Sequence, residues 1–395
     1  MRKSATQAFE RLSIPAGNRA LLCLDGGGIR GILTLQLLKA LEAEAGCPCH
    51  QIFDMVAGTS TGGIIAGLIA SRRTATEIDQ LYKTLVAKVF TKRGLFSDQF
   101  INPPKWSKVS YRRALKEAVG NVTLQEACDQ SELDLLVTAH DVAEGEQTFF
   151  SHLRGRPADR NRYAKVLLRA ALEATMSAPT YFTPLERFVD GGTTTFNNPS
   201  LAAIIEAVQY GGNDYSIDHL TVFSFGTGCQ TLFVKPDQVA DPPGPDAAFW
   251  LKWLMGEAGN DASDMQSYLL RSKRILPGCD YRRFQISLDT TALEKLPPIS
   301  LSKVDATDAT TLHGLTDEEL ASIDLDNVAF FPVMQAIGEG LVGKLKQRAA
   351  ANGHALFAKD LVDDRGHELL VTRSGEVSQI LANLSDPNWL DQQEA

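Results

Sequence analysis

The stretch Gly58-Thr59-Ser60-Thr61-Gly62-Gly63 lies between two apolar runs, residues 52–57 and 64–70, and it decides the fold of the chain. A short run rich in apolar and β-branched residues, a turn of small residues and a helix-compatible run together predict a strand, a sharp elbow and a helix. The G-x-S-x-G spacing is that of a nucleophile elbow, which lifts a serine hydroxyl out of the sheet. The hydroxyl of Ser60 then stands at a helix N-terminus, where free N–H groups and the helix dipole favour negative charge. The sequence therefore predicts that Ser60 is a nucleophile, with Gly58 and Gly62 supporting the tight turn.

Length and composition indicate a soluble globular protein. The chain has 395 residues, of which 44% are hydrophobic and 22% charged, the ordinary range for a folded protein with a sizeable core. A net charge of −9 argues against binding to a nucleic-acid polymer. Residues 72–117 differ from the rest, with 11 Lys and Arg against 4 Asp and Glu. This basic segment leaves two interpretations open, a solvated helix face or a surface that meets anionic lipid headgroups.

The cysteines and the N-terminus indicate the compartment. Six cysteines are scattered without the paired spacing of a zinc site, so we expect reduced thiols and no bound metal. The first residues are not followed by the apolar stretch of a secretory signal. Residues 55–71 carry no charge over 17 positions, but the elbow that interrupts them favours strand and helix over a membrane span. We expect a cytoplasmic protein, and peripheral binding at a membrane stays open.

Strands and helices alternate along the first 230 residues. The predicted strands are 20–24, 52–57, 133–139, 147–151, 188–189 and 220–225, and the helices between them include 77–89, 111–119, 163–175 and 199–210. This alternation predicts an α/β layer fold with a largely parallel sheet. Beyond a proline-rich loop at 241–246 we expect a mostly helical region that packs on the sheet domain, with a capping box at residues 316–319.

Three corners of small residues follow predicted strands, at 25–31, 58–63 and 190–192. The carboxyl ends of parallel strands meet at one edge of a sheet, so we expect these corners to lie close together. The first corner offers glycine N–H groups that can cradle a phosphate or an oxyanion. Its G-x-G-x-x-G spacing also fits a dinucleotide site, but that site needs an acidic residue at the end of the second strand, where Ser60 stands instead. An oxyanion site is therefore the better interpretation.

A serine nucleophile needs a base, and two kinds are available. His140 and His219 would suit a Ser-His-Asp arrangement, but neither lies in a glycine-rich corner. Asp190 is better placed, because the two glycines after it let the backbone turn and present the carboxylate. A carboxylate within hydrogen-bond reach can accept the serine proton directly.

Taken together, these segments resemble the signature motifs of the patatin-like phospholipase family. The resemblance rests on Asp25-Gly-Gly-Gly-Ile-Arg30-Gly31, Gly58-Thr-Ser60-Thr-Gly62 and Asp190-Gly191-Gly192, with similar connecting segments at 177–182, 197–199 and 224–228. It extends over about residues 18–230. The resemblance implies a three-layer sandwich around a mostly parallel sheet, distantly similar to α/β hydrolases. We expect a catalytic domain at 18–290 and a helical extension at 291–395 packed on it.

The resemblance also implies the site and the reaction. Ser60 would be the nucleophile and Asp190 its catalytic partner, while the oxyanion hole would be formed by Gly26, Gly27, Gly28 and Arg30. The implied activity is hydrolysis of acyl esters in phospholipids or related lipids at a membrane surface, without a cofactor or metal. A stripe of Phe249, Trp250, Trp253 and Leu254 fits either an interfacial helix or a core-facing one.

Three alternatives stay open from the sequence. The first is a Ser-His-Asp esterase or thioesterase acting on soluble acyl substrates. The second is a phospholipase effector that waits for a small-molecule or protein activator, an idea motivated only by the unassigned C-terminal region. The third is a lipid-binding module in which the pocket serves recognition. The sequence does not fix the oligomeric state.

Overall fold

A computed structural model describes residues 3–89, 106–230, 247–301, 307–363, 367–372 and 385–388. At its centre lies a seven-stranded sheet in which β4, β3, β2, β1, β6 and β7 are neighbours in that order and β5 pairs with β3. The strands β1 to β7 are Arg19–Leu24, Met55–Gly58, Asp134–Asp141, Glu146–His152, Phe188–Asp190, Leu220–Phe225 and Cys279–Phe284. Only the pairings of β3 with β4 and with β5 are antiparallel. The predicted α/β fold with a mostly parallel sheet is confirmed.

Helices cover both faces of the sheet. Within the described residues, helices α1 to α13 are Lys3–Arg11, Gly31–Ala45, Cys49–Ile52, Thr61–Ala70, Ala75–Val89, Val109–Val119, Leu124–Ser131, Leu168–Thr175, Ser200–Tyr210, Ala247–Arg271, Thr290–Leu293, Asp317–Ala321 and Phe331–Asn352. The side chains of strand β1 alternate between two separate cores, one on each face of the sheet. Helices are therefore needed on both faces to cover them. Leu22 and Leu24 join the larger core, and Leu21 and Cys23 join the smaller one.

Two predicted elements begin later than their sequence pattern indicates. Apolar residue Ile52 ends the short helix α3, and β2 starts at Met55. Residues 163–167 do not belong to the predicted helix 163–175, because Leu167 forms a β-bridge with Thr123 and the helix starts only at Leu168. In both cases apolar residues precede the regular element, and hydrophobic periodicity alone does not locate its first residue.

Strand β7 was not predicted, because two arginines make its sequence look like an exposed segment. Both guanidinium groups are buried through specific partners. Arg282 donates hydrogen bonds to the carbonyl oxygens of Leu12 and Phe357, at 2.7 and 2.9 Å. Arg283 forms a bidentate ion pair with Asp25 at 2.7 and 2.6 Å, with both side chains at most 3% exposed. Paired charges therefore take the place of apolar residues at this strand.

The C-terminal helix α13 packs on α2. Its Gly338 lies so close to α2 that an added Cβ would stand 2.9 Å from the Leu33 carbonyl oxygen. The segment Val328–Asn352 is long and apolar enough to cross a membrane by length and hydropathy alone, but 56% of its most apolar window is buried in the protein. A buried core helix passes the same test. The predicted capping box is confirmed at Thr316 and Glu319, and the division at residue 290 stays a prediction.

The buried Asp25–Arg283 pair generates a stability prediction. We expect Arg283→Met to lower the free energy of unfolding by about 3–5 kcal/mol, because the Asp25 carboxylate is then buried without its charge partner. Urea unfolding at neutral pH measures this change. Arg113→Met, at an exposed position on α6, is the matched control and should change stability by about 0.5 kcal/mol or less. Adding Asp25→Asn to Arg283→Met should recover part of the loss, and no recovery would contradict the unpaired-charge explanation.

Candidate active site

The nucleophile elbow has the geometry that its sequence predicts. Ser60 is the N-cap residue of α4. Its backbone angles are φ 51° and ψ −121°, a conformation that residues other than glycine rarely adopt. The chain approaches itself so closely that an added Cβ on Gly58 would lie 2.2 Å from the Gly62 carbonyl oxygen. On Gly62, a Cβ would lie 2.2 Å from the Leu24 carbonyl oxygen in β1. Glycine is therefore required on both sides of Ser60.

Ser60 and Asp190 meet at the carboxyl edge of the sheet. Ser60 Oγ donates a hydrogen bond of 2.6 Å to Asp190 Oδ2, and the two residues are 8% and 4% exposed. Asp190 Oδ1 accepts a hydrogen bond of 2.7 Å from the Gly192 N–H. Burial raises the pKa of Asp190 to about 6, while the bonds from Ser60 and Gly192 oppose that shift. The carboxylate thus lies within reach of the serine proton, with a pKa close to neutral pH.

The end of helix α8 holds both residues through bonds that sequence reasoning missed. Thr175 Oγ1 accepts a 2.7 Å hydrogen bond from the Ser60 N–H, and the Ser177 carbonyl oxygen accepts one of 3.1 Å from the Asp190 N–H. One short segment therefore fixes the backbone on both sides of the Ser60–Asp190 contact. The only sequence signal for it was the family-like segment that begins at Ser177.

Behind this segment lies a charge cluster around the buried Glu173. Glu173 accepts hydrogen bonds of 2.9 and 2.6 Å from Arg112, and Lys108 Nζ lies 3.3 Å from the same carboxylate. Lys108 also donates a 2.6 Å hydrogen bond to Ser177 Oγ. Both cations come from the basic segment, and both are paired with Glu173. Residues 90–105 of that segment lie outside the described residues.

The glycine loop at 25–31 faces the elbow with part of its backbone already bonded. The Gly26 N–H donates to the Asn197 carbonyl oxygen at 3.2 Å, and the Arg30 N–H donates to Gly27 at 3.0 Å. Among the described residues, no group accepts a hydrogen bond from the N–H of Gly27 or of Gly28. These two N–H groups are therefore the ones in the loop that can hold an anion. The half-buried Arg30 side chain lies alongside, with Nε 3.4 Å from the Gly27 carbonyl oxygen.

The two histidines considered as bases lie elsewhere. His219 is exposed and precedes β6, so it stands at the amino end of a parallel strand, opposite the edge that carries Ser60. His140 pairs with Val189 in the sheet, whereas Asp190 pairs with Ala139. Because side chains alternate along a strand, His140 and Asp190 are directed to opposite faces.

The predicted stripe at 249–254 lies mostly outside the described side chains. Helix α10 contains the stripe at 249–254, but among its four residues only the Trp250 side chain, which is half-buried, falls within the described part. Within the described ranges, no group of three or more His, Cys, Asp or Glu side chains is arranged to hold a metal ion.

The chain is similar to a protein-family model, to several named proteins and to several solved structures. A family model described as "Patatin-like phospholipase" matches residues 22–204. Over 228 residues the chain is 32% identical to the 85/88 kDa calcium-independent phospholipase A2 of Rattus norvegicus, covering 53% of this chain and 27% of that longer protein. Over 247 residues it is 29% identical to the cUMP-AMP-activated phospholipase of Escherichia coli, covering 59% of this chain and 70% of the relative. The solved structure of human GIVD cytosolic phospholipase A2 aligns with a TM-score of 0.37 and 13% identity, over 87% of this chain and 63% of that one.

The raised pKa of Asp190 generates a pH prediction. Only the ionised carboxylate can accept the Ser60 proton, so we expect the rate of labelling by a fluorophosphonate probe to rise with pH through a midpoint at about 6 and to level off above about pH 7. The measurement is the second-order labelling rate between about pH 4.5 and 8. Asp190→Asn should stay at background throughout. A transition that persists in that variant would assign the titration to another group.

Proposed function

We propose that this chain, whose residues 22–204 match the patatin-like phospholipase family model, is a serine acyl hydrolase that releases fatty acids from glycerophospholipids through a Ser-Asp dyad. The observation that carries the proposal is the 2.6 Å hydrogen bond between Ser60 Oγ and Asp190 Oδ2 at the tip of a nucleophile elbow. The phospholipase names of the relatives support the substrate class.

In the first step, Asp190 Oδ2 accepts the Ser60 proton while Oγ attacks the ester carbonyl carbon. Negative charge develops on the carbonyl oxygen, and in this proposal the N–H groups of Gly27 and Gly28 stabilise it. The lysophospholipid alcohol then leaves with the proton held by Asp190, and the fatty acid remains as an ester on Ser60.

In the second step, Asp190 accepts a proton from water, and the resulting hydroxide attacks the acyl-enzyme. The same N–H groups hold the second oxyanion. When that intermediate collapses, Ser60 leaves and regains its proton from Asp190, and the free fatty acid is released. The raised pKa of Asp190 suits a group that must both accept and return a proton.

The lipid must be drawn from a bilayer, so we propose a cytoplasmic protein that acts at a membrane surface. The uneven distribution of charge supports action at a membrane surface, because the segment at 72–117 is basic whereas the whole chain has a net charge of −9. Lys108 and the exposed Arg112 both pair with Glu173, so we propose that a membrane-facing charge comes from other positions of the segment.

The test is fatty-acid release from mixed phosphatidylcholine and phosphatidylglycerol vesicles. We expect release by the wild type and loss to background in Ser60→Ala and in Asp190→Asn, because each removes one member of the dyad. Ser216→Ala and Asp218→Asn, exposed positions at the opposite edge of the sheet, are the matched controls and should keep wild-type activity. Undiminished release by Ser60→Ala would overturn the proposal, and activity that disappears with His140→Ala would favour the Ser-His-Asp alternative.

A second candidate is a phospholipase that needs a small-molecule activator. It is favoured by the match to the cUMP-AMP-activated phospholipase, because this chain spans 70% of that relative. The vesicle assay with and without added cyclic dinucleotides separates the two. Full activity that is unaffected by these additions would remove the second candidate.

A further inference from the structure

Tyr82 lies on helix α5, outside every motif that the sequence analysis identified, yet its hydroxyl reaches two parts of the candidate site. The side chain is buried and hydrogen-bonds the carbonyl oxygen of Gly28. The same hydroxyl lies 2.5 Å from Thr61 Oγ1. Gly28 belongs to the glycine loop, and Thr61 directly follows Ser60. A single phenol therefore joins the loop to the elbow.

The chemistry of the three groups fixes the direction of both bonds. A carbonyl oxygen can only accept, so the single Tyr82 proton goes to Gly28. The phenol oxygen is then the acceptor for Thr61, whose hydroxyl donates. The chain of donors runs from Thr61 through Tyr82 to Gly28. Burial raises the pKa of Tyr82 well above its ordinary value, so the phenol is protonated at neutral pH.

The contact between Thr61 and Tyr82 also explains why the 25–31 loop ends in a glycine. A Cβ on Gly31 would stand 2.6 Å from Thr61 Oγ1 and 2.7 Å from the Tyr82 hydroxyl oxygen. These distances leave no room for a side chain. The loop therefore has its glycine at the position where the phenol and the threonine hydroxyl meet.

The peptide unit between Gly28 and Ile29 is held at both of its polar ends. Tyr82 binds its carbonyl oxygen, and the Leu325 carbonyl oxygen accepts a 2.8 Å hydrogen bond from its N–H. The Tyr82 ring in turn stacks on Phe331 at the start of α13, with ring centroids 6.2 Å apart and planes at 28°. A peptide plane anchored at both ends restricts the movement of the adjoining Gly27–Gly28 peptide unit, which carries the Gly28 N–H.

We propose that Tyr82 is a positioning residue that sets the oxyanion-binding N–H groups of Gly27 and Gly28 relative to Ser60. The inference rests on the proposed acyl-transfer function. Tyr82 touches neither the substrate nor the reacting atoms. It acts by holding the loop and the elbow in one geometry, which matters because oxyanion stabilisation depends on donors already aimed at the developing charge.

The test compares Tyr82→Phe with the wild type on a soluble ester such as p-nitrophenyl butyrate, with rates normalised to sites titrated by a fluorophosphonate. We expect kcat per titrated site to fall by about 10-fold to 100-fold, less than the loss of a whole oxyanion donor, while KM changes by about twofold or less. Thr61→Val keeps the Tyr82–Gly28 bond and should cost less than Tyr82→Phe. Thr61→Ser keeps the hydroxyl and should restore activity.

Tyr215→Phe is the matched control, because it also removes a buried phenol, one that bonds Asp134 at 2.7 Å near the amino edge of the sheet. We expect its kcat per titrated site to equal that of the wild type. A purely structural role for Tyr82 would lower the titrated fraction without lowering kcat per site, and that result would overturn the inference. An equal fall in Tyr82→Phe and Tyr215→Phe would also overturn it. Activity that survives Ser60→Ala would instead overturn the proposed function itself.

Discussion

The whole site depends on one strained backbone position, Ser60 at φ 51°. Such a residue persists only where its surroundings over-determine it. Here β2 and α4 are packed on both sides of the turn, the Gly62 position abuts the Leu24 carbonyl, and Thr175 accepts the Ser60 N–H. Contacts with the sheet and with the end of α8 thus offset the backbone strain at Ser60. They also fix the direction of the Ser60 hydroxyl in the absence of a substrate.

Two buried aspartates, Asp25 after β1 and Asp190 at the end of β5, show how surroundings decide whether a carboxylate has a structural or a chemical part. Asp25 is paired bidentately with Arg283, so its charge is neutralised and it anchors the glycine loop to β7. In the part of the chain that the structure describes, no lysine or arginine forms an ion pair with Asp190. Its partners are a hydroxyl and an N–H, and burial raises its pKa to about 6. The two residues look alike in sequence and differ because only one has a cation beside it.

The sequence predicted those parts of the molecule that local patterns determine. The sheet, the elbow and the three converging corners follow from apolar runs and glycine spacing, and so did the choice of Ser60 and Asp190 as candidates. What could not be predicted depends on long-range pairing. Strand β7 was missed because Arg283 pairs with Asp25, 258 positions away, and Arg282 donates a hydrogen bond to the Leu12 carbonyl oxygen, 270 positions away. Thr175 was missed because the sequence of a helix end does not show which distant N–H its side chain will bind.

The same long-range pairing shows that residues 22–204 do not make a complete site on their own. Arg283 holds the aspartate that opens the glycine loop, and Leu325 binds the N–H of Ile29 within that loop. Phe331 stacks on Tyr82, whose hydroxyl joins the loop to the elbow. Each of these contacts comes from the chain beyond the matched family domain. The C-terminal region is therefore part of the architecture that holds the glycine loop at 25–31, and any event that displaces residues 325–331 would act on the geometry around Ser60.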